Sequence, residues 1–399
     1  MQLYEICLQP LSGFGTPLKG DTIFGQFCWQ LVRNPDLLKK GNPENCLKTY
    51  PEKPFVIFSS AFPKGPEGQY ILKKPDLPSF MFPLPRLGNA DDLAFFSSPQ
   101  RGEAGWGEKQ RPVTNDRFHP PPAPPSREGS LASTALPSRE ESDTFHQGRE
   151  GESKPDCQTR QKNLKSLKKK KWMVLSSLRN LKLSDLNAAD LHSDEELSEI
   201  ITKGKESFIR SHFQSHNTIH RMTNTTLTDR FAPYVIKNMF YCPEMKLRLF
   251  FMADEEILDA GQVAEGLKRM GQWGYGRDAS LGLGRFSVGI PEPVQITTDT
   301  DADAFYTLGP CVPEKGSFAE SWFTPFVRFG RHGDSLATSS NPFKAPVVMA
   351  DEGAVFRVSD PAVLQNRYAG RAVENVSVHE NIMVQGYAPV LPLHLGGIL

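Results

Sequence analysis

The chain has 399 residues, with 46 basic and 46 acidic side chains and a formal net charge of zero. That balance excludes a global field drawing the protein to nucleic acid or membrane, so any polyanion site must come from local clustering. Six scattered cysteines (Cys7, Cys28, Cys46, Cys157, Cys242, Cys311) form no C-x-x-C pair, which excludes a zinc or disulfide framework and fits free thiols in a reducing cytoplasm.

The length allows two domains and a substantial core. The start, Met1-Gln2-Leu3-Tyr4-Glu5, lacks a basic leader, and no apolar run approaches membrane-spanning length. A soluble cytoplasmic protein with no membrane partner is expected. Leu3 to Leu8 reads as a strand. The loop Ser12 to Gly20 leads to Asp21, expected as an N-cap, behind which Ile23, Phe24, Phe27, Cys28, Leu31 and Val32 share a helical face ended by Pro35. Phe55 to Ser59 is the next strand, and Pro75 to Pro85 is extended and packed. From about Gly88 to Arg160 the chain is rich in Pro, Ser, Gly, Arg and Glu and has no sustained period. Such a segment buries too little apolar surface to offset its ordering entropy, so 88–160 is expected to be a disordered insertion.

Between Arg160 and Lys182 no acid interrupts a run of nine basic residues, Lys168-Lys169-Lys170-Lys171 among them. It reads equally as a solvated linker end or as a basic edge along a polyanion. Trp172 to Leu175 follows as a strand, and Leu197, Ile200 and Ile201 mark a short acidic helix. His212, His216 and His220 then recur at intervals of four. On a helix they would share a face and invite a metal, but H-E-x-x-H is absent and the Thr/Asn-rich composition favours a β-hairpin or extended loop. RNA contact by Arg221, Asn224 and one or more of these histidines is the alternative reading.

Lys246 to Met252 is a strand that feeds an amphipathic helix with Ile257, Ala260, Val263, Ala264, Leu267 and Met270 on one face. Next comes Gly271-Gln272-Trp273-Gly274-Tyr275-Gly276-Arg277-Asp278-Ala279-Ser280-Leu281-Gly282-Leu283-Gly284-Arg285-Phe286, then a strand to Ile290. Phosphate loops of nucleotide enzymes run strand, loop, helix; this order is helix, loop, strand, and neither the P-loop nor the dinucleotide spacing is met. No cofactor is expected. What remains is a helix-to-strand connection using glycine for positive φ, or a loop whose bare backbone approaches a phosphodiester while Arg277 and Arg285 add charge. The elements read β-α-β, insertion, β-α-β, the ferredoxin-like plan, whose open sheet face commonly receives single-stranded nucleic acid. After Pro291-Glu292-Pro293 a β-rich module is expected, with strands at Trp322 to Val327, Ala354 to Val358 and Val376 to His379. Arg328-Phe329-Gly330-Arg331-His332-Gly333 is a second small basic, glycine-bearing loop.

Five stretches together carry a family resemblance: Thr16-Pro17-Leu18-Lys19-Gly20-Asp21-Thr22-Ile23-Phe24-Gly25-Gln26-Phe27-Cys28-Trp29, the lysine run before Trp172, His216 to Thr226, the glycine-rich loop, and Phe343 to Phe356 with Gln385-Gly386-Tyr387-Ala388-Pro389. The chain resembles a RAMP-superfamily subunit of a type III CRISPR effector complex, most closely the Csm-subunit-four type of the Cas-five group. The insertion looks foreign to the family. The resemblance implies an α+β fold of two ferredoxin-like (RRM-like) modules, over 1–87 with 161–292 and over 293–399. It implies a non-catalytic subunit that holds the repeat-derived 5′ tag of the CRISPR RNA (crRNA) and bridges the large polymerase/cyclase-like subunit to the backbone RAMP subunit.

Carried over by position, Gly274, Tyr275, Gly276, Arg277, Ser280, Gly282, Gly284 and Arg285 would line the tag, with Thr16 and Lys19 beside its phosphates. His216, Arg221 and Asn224 would sit on the hairpin side of the same groove. Trp273 and Tyr275 stand where a base could stack. The alternatives are a metal-independent endoribonuclease that processes CRISPR transcripts, and a bridging protein with incidental RNA contact. The nuclease needs a general-base histidine, usually in or near the first helix; here none precedes His119, inside the insertion, which leaves only the His212 to His220 cluster.

Overall fold

An apolar run at the start of the chain makes strand β1 (Gln2–Pro10), which buries Leu3, Ile6 and Leu8 and so covers both of its faces. The structure is a computed structural model describing residues 1–82, 165–179, 181–186, 188–226, 232–296, 302–359 and 366–396. The expected insertion over 88–160 lies outside the described residues. After β1 come α1 (Gly20–Arg33), α2 (Pro43–Thr49), β2 (Val56–Pro63), β3 (Tyr70–Lys73), β4 (Trp172–Leu175), β5 (Leu181–Lys182) and β6 (Leu191–His192). The chain continues through α3 (Asp194–Thr202), β7 (Ile209–His216), β8 (Tyr234–Tyr241), β9 (Leu247–Ala253), α4 (Ala260–Trp273), β10 (Phe286–Val288) and β11 (Glu292–Pro293). Its last part holds β12 (Ala304–Thr307), β13 (Phe318–Trp322), β14 (Pro325–Arg328), β15 (Val347–Ala350), β16 (Val355–Val358), β17 (Tyr368–Gly370) and β18 (Tyr387–His394). The expected α+β class holds.

The first sheet runs β10-β1-β9-β2, antiparallel throughout, with β11 also paired to β1. β9 is central and all seven of its residues are buried, because both sheet faces are covered. On one face lie α1 and α4: the Phe27 and Phe58 rings are 5.1 Å apart, and a Cβ on Gly266 of α4 would stand 2.5 Å from Phe27. On the other face Tyr70 stacks on Phe250, and Arg248 lies 3.9 Å over the Tyr70 ring while pairing with Glu5 at 3.3 Å. That ion pair and ring close the sheet face that the sequence reading left open for nucleic acid.

Three local expectations are corrected. Asp21 does not cap α1; the N-cap is Lys19, without a side-chain cap, and Asp21 is buried, accepting hydrogen bonds from the Arg328 guanidinium at 2.5 and 3.0 Å. Trp322 to Val327 is not one strand. It breaks into β13 and β14, which enter different sheets, and Asp76 accepts the Thr324 N–H at the break (2.8 Å). Val376 to His379 is irregular; there the Ser377 hydroxyl accepts the His379 N–H at 3.0 Å, a local side-chain bond that competes with strand pairing.

The second large sheet runs β13-β16-β12-β18-β17, with β5 parallel to β18, and carries no α-helix among the described residues after 302. It meets the first sheet at a bulge in β2 between Phe58 and Ala61. There the buried Gln385 amide accepts the Phe58 N–H (3.0 Å) and donates to the Phe58 carbonyl (2.8 Å), behaving as a peptide group would. In the basic stretch Lys170 and Lys171 pair with Glu196 and Asp194 of α3, whose Ser193–Glu196 capping box fixes its start.

Candidate nucleic-acid interface

Three segments meet at Arg277: the β1–α1 loop, the β7–β8 hairpin and the glycine-rich loop after α4. Helix α4 begins at a capping box (Asp259 with Gln262) and stops at Gly274, where φ reaches +100° and a Cβ would clash with the Leu283 carbonyl. Gln26 of α1 then holds the loop with both ends of its amide, donating to the Gly274 carbonyl (2.8 Å) and accepting the Gly276 N–H (2.9 Å). The Thr16 hydroxyl accepts the Arg277 N–H at 2.9 Å, and the Gly284 N–H donates to the Gly13 carbonyl at 2.7 Å. Arg285 continues the pairing with β1: the Ser12 hydroxyl accepts its N–H, and its carbonyl accepts the Leu11 N–H.

The Arg277 guanidinium reaches across to the hairpin, donating to the Lys237 carbonyl (2.8 Å) and the Asn238 side chain (3.1 Å), with Asp278 at 3.2 Å. The hairpin's base is fixed by two mutual backbone bonds between Phe14 and Met239 (2.7 and 2.9 Å) and by Phe240, whose ring fills the space a Cβ on Gly13 would need. Opposite residues of an antiparallel pair share a face. Asn238 therefore shares its face with His212, Gln214, Ile236, His216 and Tyr234, and this face looks the same way as Arg277. His216 stacks on Tyr234 with centroids 5.3 Å apart and planes 12° apart, a flat, half-exposed aromatic surface. His212 stands edge-on to Phe240.

The sequence-derived residues divide accordingly. Thr16, Gly274, Gly276 and Arg277 come into direct contact, and Arg285, Ser280 and the exposed Trp273 flank them. His216 lies four residues beyond His212, about 13 Å along the strand. Arg221 and Asn224 lie in the turn beyond that. Tyr275 is no base platform: it is fully buried, donates its hydroxyl to the Pro17 carbonyl (2.8 Å), and burial raises its pKa far above the ordinary tyrosine range. Lys19 does not face a phosphate. It pairs with Asp351 and Glu352 (3.0 Å to the latter), and although burial would lower its pKa, those carboxylates raise it on balance. The glycines act as spacers, not as an anion cradle: the N–H groups of residues 274–277, 282 and 284 already bond within the protein. Gly284 sits at φ +72°, where a Cβ would meet the Tyr275 backbone at 2.1 Å.

No protein-family model matches the chain, and no curated protein sequence matches it. Among solved structures, a chain of a Csm3–Csm4 subcomplex of the type III-A CRISPR-Cas interference complex is 12% identical at a TM-score of 0.49, covering 98% of this chain and 99% of that one. A chain of a Csm1–Csm4 cassette in complex with pppApA is 14% identical at a TM-score of 0.46, covering 98% and 97%. A chain of a type III-B Cmr-beta complex bound to target RNA and AMPPnP is 8% identical at a TM-score of 0.36, covering 91% and 88%.

Sequence reasoning missed Gln26, Ser12, Asn238 and Tyr234. Gln26 lies inside the quoted N-terminal motif, but its neighbours across the fold are about 250 residues away in sequence. Tyr234 and Asn238 carry a signal that was available: they alternate with Val235 and Lys237, the two-residue period of a ribbon partner for His212 to His216.

Proposed function

We propose that this chain is the non-catalytic RNA-binding subunit of a type III CRISPR interference complex that caps the 5′ repeat-derived tag of the crRNA. The observation that carries the reading is the convergence of three segments on Arg277, an exposed residue on the hairpin face that also carries the flat His216–Tyr234 surface, about 13 Å further along the strand. Such a surface holds a short single strand by charge and stacking without needing a reacting group. The strand order β10-β1-β9-β2, with α1 and α4 on one face, supports a ferredoxin-like first module, and the C-terminal sheet is its proposed partner module. The proposed protein partners are the large polymerase/cyclase-like subunit and a backbone RAMP subunit, corresponding to the Csm1 and Csm3 named with Csm4 in the similar structures.

The test is co-expression with a CRISPR array, purification, and sequencing of the bound RNA ends. RNAs sharing one repeat-derived 5′ end are expected. Arg285→Ala, which removes a side chain without an internal hydrogen-bond partner among the described residues, should lower RNA retention about threefold to tenfold and leave the unfolding temperature unchanged. Unchanged retention, or heterogeneous 5′ ends, would sink the tag reading. A specific product from a repeat-containing transcript incubated without divalent metal would sink its non-catalytic half.

A further inference from the structure

The loop Arg328 to Gly333 remains outside the groove just described. Its strand, β14, pairs with β15, and beyond that pairing the ribbon continues to a bridge between Arg331 and Phe343. Alternation divides it into two faces. Arg328 and His332 point inward, Arg328 to Asp21 and His332 into a buried position. Outward stand Val327 (45% exposed), Phe329 (77%), Phe343 (65%) and Val348 (63%), with Arg331 exposed among them. The Arg331 guanidinium lies 5.9 Å from the Phe343 ring and donates to the Ala337 carbonyl, so the charge is held beside the aromatic surface.

Two features suit this face to an RNA strand. First, its largest exposed side chains are phenylalanines and its charge is a guanidinium, which together suit a base with its phosphate. Second, the face is linked to the groove. Asp334, at the end of this loop, pairs with Arg33, and Arg33 lies 5.9 Å from the ring of Trp273, the exposed residue that leads into the glycine-rich loop.

We propose that the outer face of the β14–β15 ribbon, through Phe329, Arg331 and Phe343, is a second RNA-contact surface that stacks unpaired bases of the strand held in the groove. The identity of the nucleic acid rests on the function proposed above; the aromatic platform does not. The test uses the full chain and a single-stranded RNA of about 20 nucleotides carrying 4-thiouridine, photocrosslinked and mapped by mass spectrometry, with affinity measured in parallel. Crosslinks on Phe329 or Phe343 are expected. Phe329→Ala with Phe343→Ala should weaken binding at least tenfold at unchanged unfolding temperature, and Phe329→Tyr with Phe343→Tyr should restore it. The inference is overturned if crosslinks fall in the groove alone and the double alanine variant binds RNA normally. It is also overturned if that variant binds RNA normally but loses a protein subunit from the co-expressed complex, for the face is then a protein dock. If Arg285→Ala leaves binding intact while the phenylalanine variant loses it, the ribbon stands and the groove reading fails.

Discussion

Tyr275 shows how a single residue's role turns on burial. A tyrosine in a glycine-rich loop suits base stacking by composition, but here its hydroxyl donates to Pro17 and its ring packs beside Phe14, locking the loop onto the β1–α1 connection. Tyr275→Phe is expected to lose about 1 kcal/mol of stability by denaturant unfolding, the typical net worth of one buried hydrogen bond. RNA affinity should be unchanged; a tenfold loss would return Tyr275 to the interface. Gln26 works alongside it. Because one planar amide serves a carbonyl and an N–H two residues apart, the loop's path is set before any ligand arrives.

The hairpin is the element on which the RNA reading depends most. Its β7 strand is exposed along almost its whole length, so its stability comes from the ladder to β8 and from the Phe14–Met239 and Arg277 contacts at its base. The two-residue period puts Phe213 and Val235 on the face opposite His216 and Tyr234. Replacing both His216 and Tyr234 with alanine should weaken RNA binding about tenfold by removing one stacking platform, measured by filter binding at fixed salt. Phe213→Ser on the other face should leave affinity within about twofold. Equal losses from both faces would mean that the ribbon is gripped all round, contrary to the one-sided groove.

At the scale of the molecule, a charged junction ties the first sheet to the second. Lys19 and Lys73 (3.2 Å) converge on Asp351, and Glu352 accepts from Ser60 and Lys19. Burial alone would raise the Asp351 pKa, but its hydrogen bond with Glu352 and the two lysines hold it well below the carboxylate range; burial and the Asp351 contact push Glu352 upward. The signs are opposite. Asp351, depressed, contributes stability above its unfolded value that is lost as pH falls through its folded value. Glu352, raised, costs stability once ionised, and that cost is relieved as pH falls through its folded value. Acid unfolding linked to Asp351 should therefore begin only below about pH 4. Asp351→Asn should cost about 2 kcal/mol at pH 7 and flatten that limb, since it leaves two partly buried lysines short of a partner. Glu352→Gln should be neutral or stabilising at pH 7. Stability profiles against pH for the two variants check both signs, and a destabilised Glu352→Gln would reverse the assignment.

Much of this was legible in the residues themselves. The apolar runs of β1 and β9, the helical periods of α1 and α4, and the helix-loop-strand order around the glycines are local patterns written within a few turns of chain, because backbone geometry repeats over short distances. The N-terminal and C-terminal motifs carried the family resemblance in the same way. Whether an exposed-looking Tyr275 or Lys19 meets solvent, however, depends on Pro17, Asp351 and Glu352, up to 333 residues away, and no local period encodes a partner at that range. The covered face of the first sheet and the splitting of β13 from β14 were likewise decided in three dimensions. Burial and pairing are properties of the packed whole, and only packing sets which polar groups remain free to meet a ligand.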